Sequence, residues 1–319
     1  MPFHGSNRGS NPLGDAIPIL RKAVAEARRL LFRRRRQRLL AAAAGRGMPS
    51  SVYSAAAFMI DRSLDRFGLW DVVSRAEARR VEIAAQADRL FTIWYSPKPH
   101  AESSDAAVEL ALGQQIQLSA PRIAATGKDR VWGPALHLLV RESGATRILE
   151  LGACAGISAL YMAQAANVQS IVTVEGSPEL AALTAESLKS IGAAQVVNAQ
   201  FTDAIELLQN EQAPAFDFVF IDGHHERLAT IYYFDKVFPL LTPGAHVVFD
   251  DIRWSDDMFS AWRVLSSDCR FSHAIDFGSL GICVCRKEGD LGASAMEPTY
   301  WDLSEVVGRT HIGQPWGWR

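Results

Sequence analysis

The sequence predicts an α/β fold, a largely parallel sheet with helices on it, preceded by a helical region. Three observations carry that expectation. From about residue 106, short apolar runs alternate with amphipathic stretches of helical period, the signature of βαβ units. Several of those runs end in an acid or a glycine turn, where an open α/β sheet binds its ligand. The last two runs, FSHAIDF (271–277) and ICVCRK (282–287), are joined only by GSLG, so they must pair antiparallel.

Taken in order, residues 1–14 (MPFHGSNRGSNPLG) are rich in Gly, Pro, Ser and Asn and predict a disordered N-terminus. Residues 15–105 predict a helical N-terminal region. One helix runs from about 15 to 44 and stops at GRGMPSS; a second helical stretch covers about 51 to 95 with a break at Gly68, and a polar linker (95–105) follows. Residues 106–290 predict the α/β domain. Its strands are RILEL (147–151), SIVTVE (170–175), AQVVN (194–198), FDFVFID (216–222) and HVVFD (246–250), then the hairpin pair, seven in all. Ser177 is placed to cap the helix after the second strand, Pro178 suits its first turn, and Gly192 ends it. Residues 291–319 form a C-terminal extension.

The net charge of −2 hides an asymmetry, with +9 in residues 1–50 and −11 in the remainder. The basic arm is centred on RKAVAEARRLLFRRRRQR (21–38). Leu20, Val24, Ala27 and Leu31 give it an apolar stripe, so a helix solvated or docked on its own chain is the plain reading. Binding to nucleic acid or an anionic surface, and a transit peptide, are the others. No apolar stretch approaches the roughly 20 residues of a membrane span. No secretory h-region is present, and four cysteines do not make a disulfide scaffold, so a reducing cytoplasm is expected. Cys283 and Cys285 lie on one strand face without further ligands at metal spacing and read as core.

ILELGACAGISAL (148–160) places a strand, a glycine turn and a helix start in succession, which offers backbone N–H groups to a nucleotide-like ligand. The candidate cofactor residues are Glu150, Gly152, Ala153, Gly156 and Ser158 in that turn. Glu175, Gly176 and Ser177 follow the second strand, where Glu175 is set to accept from both ribose hydroxyls. Asp203 and Ala204 follow the third, with Asp203 either reaching an adenine amino group or simply capping its helix. A nicotinamide dehydrogenase would want G-x-G-x-x-G, but Cys154 stands at the middle glycine.

Asp222 ends the fourth strand in FIDGHHE and Asp250 the fifth in FDDIRW, with Asp251 next. Three carboxylates from neighbouring strand ends suit Mg²⁺ or another hard divalent cation, which would relieve their repulsion. Strand-end aspartates also cap loops, so that alternative stays open. His225, three residues beyond Asp222, is the candidate general base; His224 beside it, Arg253 and Trp254 are candidate acceptor contacts. Asp256 and Asp257 follow Ser255 into the first turn of a helix and read as structural.

Glycine turn, acid, acid and terminal hairpin together resemble the class I S-adenosylmethionine-dependent methyltransferases over about residues 125–287. The resemblance implies a Rossmann-like, seven-stranded methyltransferase sheet and S-adenosyl-L-methionine as cofactor. D-x-x-H at 222–225 with the later acid pair resembles the metal-dependent O-methyltransferases, macrocin-type above all and catechol-type more distantly. In the sugar-modifying kind the positions matching Asp222, Asp250 and Asp251 hold the divalent ion and that matching His225 is the general base. The catechol type has lysine where His225 falls and asparagine where Asp251 falls. FDFVFIDGHHERLATIYYFDKVFPLL and VVFDDIRWSDDMFSAW also resemble bacterial methyltransferases of unassigned substrate. The expected reaction is O-methylation of a small-molecule acceptor, with the N-terminal helices covering the cleft, forming a homodimer, or both. Alternatives are N-methylation, RNA methylation guided by the basic arm, which lacks an NPPY-like base pocket here, and a non-catalytic cofactor-binding subunit.

Overall fold

A computed structural model describes residues 12–95, 114–210, 215–287 and 296–312. The N-terminal part comprises α1 (Pro12–Gly45), α2 (Ser50–Asp61), α3 (Leu64–Phe67), α4 (Trp70–Ala84), β1 (Leu90–Tyr95), β2 (Gln114–Ser119), α5 (Ala120–Thr126) and α6 (Trp132–Ser143). Alternation follows: β3 (Arg147–Leu151), α7 (Ile157–Ala163), β4 (Ser170–Glu175), α8 (Pro178–Leu188), β5 (Ala194–Asn198), α9 (Phe201–Asn210) and β6 (Phe216–Ile221). The chain continues through α10 (Arg227–Val237), a 3-10 turn (Phe238–Leu240), β7 (Leu241–Phe249), α11 (Asp256–Leu265), β8 (Phe271–Phe277), β9 (Leu280–Cys285), β10 (Thr299–Asp302) and α12 (Ser304–Val307). Of the predicted disordered segment, residues 1–11 lie outside the described residues and 12–14 begin α1; the linker lies outside them but for Tyr95, and the C-terminal extension is described over 296–312, where it forms β10 and α12.

The main sheet has the order β10-β8-β9-β7-β6-β3-β4-β5, with β9 antiparallel to both β7 and β8 and every other pairing parallel. It therefore has eight strands where seven were expected. The extra one is the four-residue TYWD, paired with β8 at the sheet edge; so short a run carries little period in sequence.

Strand residues alternate between two cores. Ile148, Phe218, Phe220, Val248 and Ile282 face one layer with α2, α6 and α7. Leu149, Leu151, Val219, Ile221, Val247 and Phe249 face the other with α9, α10 and α11. Burial on both faces is what makes these strands nearly continuous apolar runs, and the acids of the site follow at their carboxyl ends.

The expectation of helix up to residue 95 needs correction. Leu90–Tyr95 is a strand, pairing antiparallel with Gln114–Ser119 in a separate two-stranded arm. LFTIWY is β-branched and aromatic, and its partner lies on the far side of a long intervening segment, so no local turn announces the pair. The basic helix docks in part on its own chain: Arg33 pairs with Asp61 at 2.8 Å, Arg35 with Glu305 at 2.8 Å, and Arg36 reaches the carbonyls of Met59 and Val306. Leu40 and Ala43 are buried at its C-terminal end, while Val24, Leu31 and Phe32 are exposed.

Candidate active site

The carboxyl ends of β3, β4, β6 and β7 surround a cavity of about 350 Å³. The first wall is the turn after β3. The amides of Gly152 and Ala153 both donate to the Val174 carbonyl, at 3.0 and 3.1 Å, and Gly152 takes φ +105°. A Cβ on Gly152 would stand 1.9 Å from the carbonyl oxygen of Asp222, so only glycine lets the β3 turn lie against the end of β6. Cys154, where a dinucleotide fingerprint has glycine, takes φ 51°.

Glu175 closes the second wall. Its two carboxylate oxygens accept from the amides of Cys154 (2.8 Å) and Ser177 (2.9 Å), which fixes the carboxylate toward the cavity. Burial raises its pKa against the pull of those amides. Ser177 caps α8 as expected, accepting from Leu180 N. Ala153, Ser158 and Gly176 line the cavity too. Glu150, Gly156, Asp203 and Ala204 do not. Glu150 is fully buried within β3 and bonded to Thr173, and burial pushes its carboxyl up to about 7. Asp203 is exposed in the first turn of α9, and the preceding Gln200 and Phe201 face the cavity instead.

At the far end the sheet ladder carries the acids into place. Leu151 O accepts from Asp222 N at 2.8 Å, and Ile221 O accepts from Asp250 N at 2.9 Å. Asp222, His225 and Asp250 each present a ligand atom within 4.8 Å of the others. Asp250 is 2% exposed, and its Oδ1 has no hydrogen-bond partner. Two carboxylates, one of them with an orphaned buried oxygen, fit a divalent cation, with the imidazole of His225 beside them. Asp251 stands outside this group of ligand atoms: its backbone turns at φ 51°, so consecutive residues do not present both carboxylates to one point. Burial, then the charge of Asp250, pushes Asp251 up to about 6.

A residue that the sequence did not single out sits in the middle of the acids. Lys128, from the loop between α5 and α6, donates to Asp250 Oδ2 and lies 3.6 Å from Asp222 Oδ2. Burial opposes charge on Asp222 and Asp250 alike. Lys128 and a hydrogen bond to Asp222 outweigh it at Asp250, whose pKa falls, whereas burial and the adjacent Asp250 raise Asp222. Burial would lower Lys128, but Asp222 and Asp250 raise it, so it stays an ammonium.

His225 Nε2 is 3.6 Å from Asp222 Oδ1. His224 and His225 have φ 62° and 45°, a left-handed turn that sends adjacent side chains different ways. His224 is bonded to Tyr233 at 2.6 Å and packs edge-on to Phe201, while His225 lies 6.2 Å from the Trp254 ring; all but Tyr233 line the cavity. Arg253 is turned away. Its guanidinium bonds Asp276 at 2.5 Å, a residue 1% exposed, and covers Phe259, so a buried acid rather than a substrate group claims it. Asp256 and Asp257 occupy the first turn of α11 under a Ser255 cap, and Asp257 also accepts from Arg227 N at 2.7 Å.

Sequence reasoning also missed Ile93, Ile123, Thr126, Gly127 and Leu180 on the cavity wall. Ile93 comes from β1, which is pinned to the start of α8: Thr92 N donates to Glu179 Oε2 (2.7 Å) and Ser177 Oγ donates to Thr92 O (2.8 Å). No local motif marks these residues.

Residues 149–252 match the family model described as a methyltransferase domain. A catechol O-methyltransferase of Mycobacterium tuberculosis is 31% identical over 149 residues, 46% of this chain and 66% of that protein. A catechol O-methyltransferase of Niastella koreensis is 32% identical over 124 residues, 38% and 55% respectively. The chain thus spans less than two thirds of these relatives' length. The solved O-methyltransferase from Bacillus cereus, in complex with SAH, is 22% identical with a TM-score of 0.46, over 58% of this chain and 92% of that one. The strand order with its antiparallel β9, and the glycine turn and Glu175 at the cavity, agree with the match: residues 149–252 are similar to a methyltransferase domain and carry the features expected of the class I, S-adenosylmethionine-dependent kind.

Proposed function

We propose that the chain moves the methyl group of S-adenosyl-L-methionine to a hydroxyl of a small-molecule acceptor, with a divalent cation, Mg²⁺ foremost, held by Asp222 and Asp250. The observation that carries this reading is the meeting of Asp222, Asp250 and His225 at one end of the cofactor cavity. The catechol O-methyltransferases among its relatives support oxygen as the methylated atom.

Glu175 is placed to hold the ribose hydroxyls, and the Gly152–Ala153 turn and Ser158 to take the rest of the cofactor. Trp254 and His224 wall the acceptor side and exclude water. A bound divalent ion supplies a Lewis acid that lowers the pKa of an acceptor hydroxyl. His225 takes the hydroxyl proton on its ring nitrogen as the oxygen attacks the methyl carbon; the carbon–sulfur bond breaks and S-adenosylhomocysteine leaves. Alignment of oxygen, carbon and sulfur is the main contribution of the walls, since the displacement is in-line.

The test is methyl transfer to a panel of catechols and sugar hydroxyls, before and after chelation and Mg²⁺ return, in wild type and Asp250→Ala. Turnover should vanish in the variant and under chelator, with calorimetric S-adenosylmethionine binding retained. An undiminished rate under chelator removes the metal from the mechanism.

A further inference from the structure

The two carboxylates that would hold the cation already hold another one. Lys128 Nζ donates to Asp250 Oδ2, stands 3.6 Å from Asp222 Oδ2, and lies 5.7 Å from the centre of the Phe220 ring. The lysine side chain is 14% exposed. It occupies only one oxygen of Asp250, and Oδ1 of the same carboxylate is orphaned.

An ammonium and a divalent ion cannot share this pair, because like charges a few ångströms apart repel strongly in a poorly solvated site. Lysine is suited to give way: its charge sits on a flexible four-carbon stem with rotatable donors, unlike the planar fork of arginine. The backbone beneath it is held still. Arg80 binds the carbonyls of Ala124, Gly127 and Lys128 itself, so the loop is fixed while the side chain is free to change rotamer. Thr126 and Gly127, just before it, line the cavity, which gives the displaced ammonium somewhere to go.

We propose that Lys128 is a tethered counter-cation: it neutralises Asp222 and Asp250 when no ion is bound, swings out when a divalent ion arrives, and thereby sets the metal affinity of the site. This inference rests on the metal reading of the preceding subsection. Lys128 is a positioning residue in it, acting through the two carboxylates.

The experiment titrates full-length wild type, K128Q and K128R with MnCl₂, reading free Mn²⁺ by electron paramagnetic resonance. K128Q should bind one ion per chain at least about tenfold more tightly than wild type, and K128R no more tightly than wild type, since only the former loses the competing charge. A purely structural lysine would give the opposite sign. A second measurement needs no variant: acylation of Lys128, scored by mass spectrometry against exposed Lys189, should rise when Mn²⁺ is added to wild type. Equal or weaker binding by K128Q, or Lys128 acylation unchanged in metal-saturated wild type, overturns the displacement while leaving the metal reading intact. Failure of all three natively folded proteins to bind Mn²⁺ overturns both.

Discussion

Ser51 Oγ lies 2.8 Å from Nε2 of His246, a buried bond that joins α2 to the middle of β7. The ring stacks on Phe218 and also bonds the backbone of Gly244. Burial is the main cause that brings the His246 pKa down to about 4, with the Asp217 charge opposing it.

The sign follows from the direction of that shift. The unfolded chain binds a proton near pH 6.5 that the folded chain refuses until about 4, so the contribution of neutral His246 is intact above 6.5 and lost as pH falls through 4. Urea unfolding should show up to about 3 kcal/mol of acid destabilisation in wild type that is missing in His246→Gln. Parallel pH profiles in the two proteins would contradict the assignment.

Gly152→Ala should be severe. The new Cβ meets the backbone of Asp222, which no rotamer change can relieve, and φ +105° is unfavourable for alanine. A loss of at least about 3 kcal/mol in stability is expected, with S-adenosylmethionine binding abolished in calorimetry. Near-normal stability and affinity would mean the two strand ends can part freely.

Replacing His225 with Ala should lower kcat by roughly 10² to 10⁴ while the cofactor Kd is unchanged. Steady-state kinetics with a hydroxyl acceptor checks this, and a wild-type rate eliminates His225 as base.

Arg253→Ala separates a structural from a substrate role. It removes the charge partner of buried Asp276 and leaves it only the bonds from Gly278 N and Tyr300 Oη, so it should cost about 3 kcal/mol, seen in the urea midpoint, and leave the acceptor KM within about twofold. A large rise in KM at unchanged stability would return Arg253 to the acceptor pocket.

Much of the site was legible because its parts sit at strand ends, and strand ends are where apolar runs stop. Asp222, Asp250, Glu175 and the glycine turn could each be read from a short window, and the hairpin from its four-residue link. Lys128 could not. It precedes Asp222 by 94 positions in an unremarkable GKDR stretch, and the loop that brings it to the acids is held by Arg80 of α4. Arg253 misled for a related reason: its neighbours in sequence point to the cavity, but its partner, Asp276, belongs to another strand. The arm strands were hidden because the pairing of Leu90 with Ser119 spans a distance that no local pattern encodes.

The wall contributed by Ile93, Ile123, Thr126 and Gly127, with Lys128 beneath, has a practical corollary. All five precede residue 149, where the match to the methyltransferase family model begins. A fragment trimmed to 149–252 would keep the glycine turn and the acids but surrender one side of the pocket and the resident ammonium. The matched domain and the lining of the cavity therefore have different borders. Grafting the front segment onto a related core would transplant a pocket wall and a charge along with the helices.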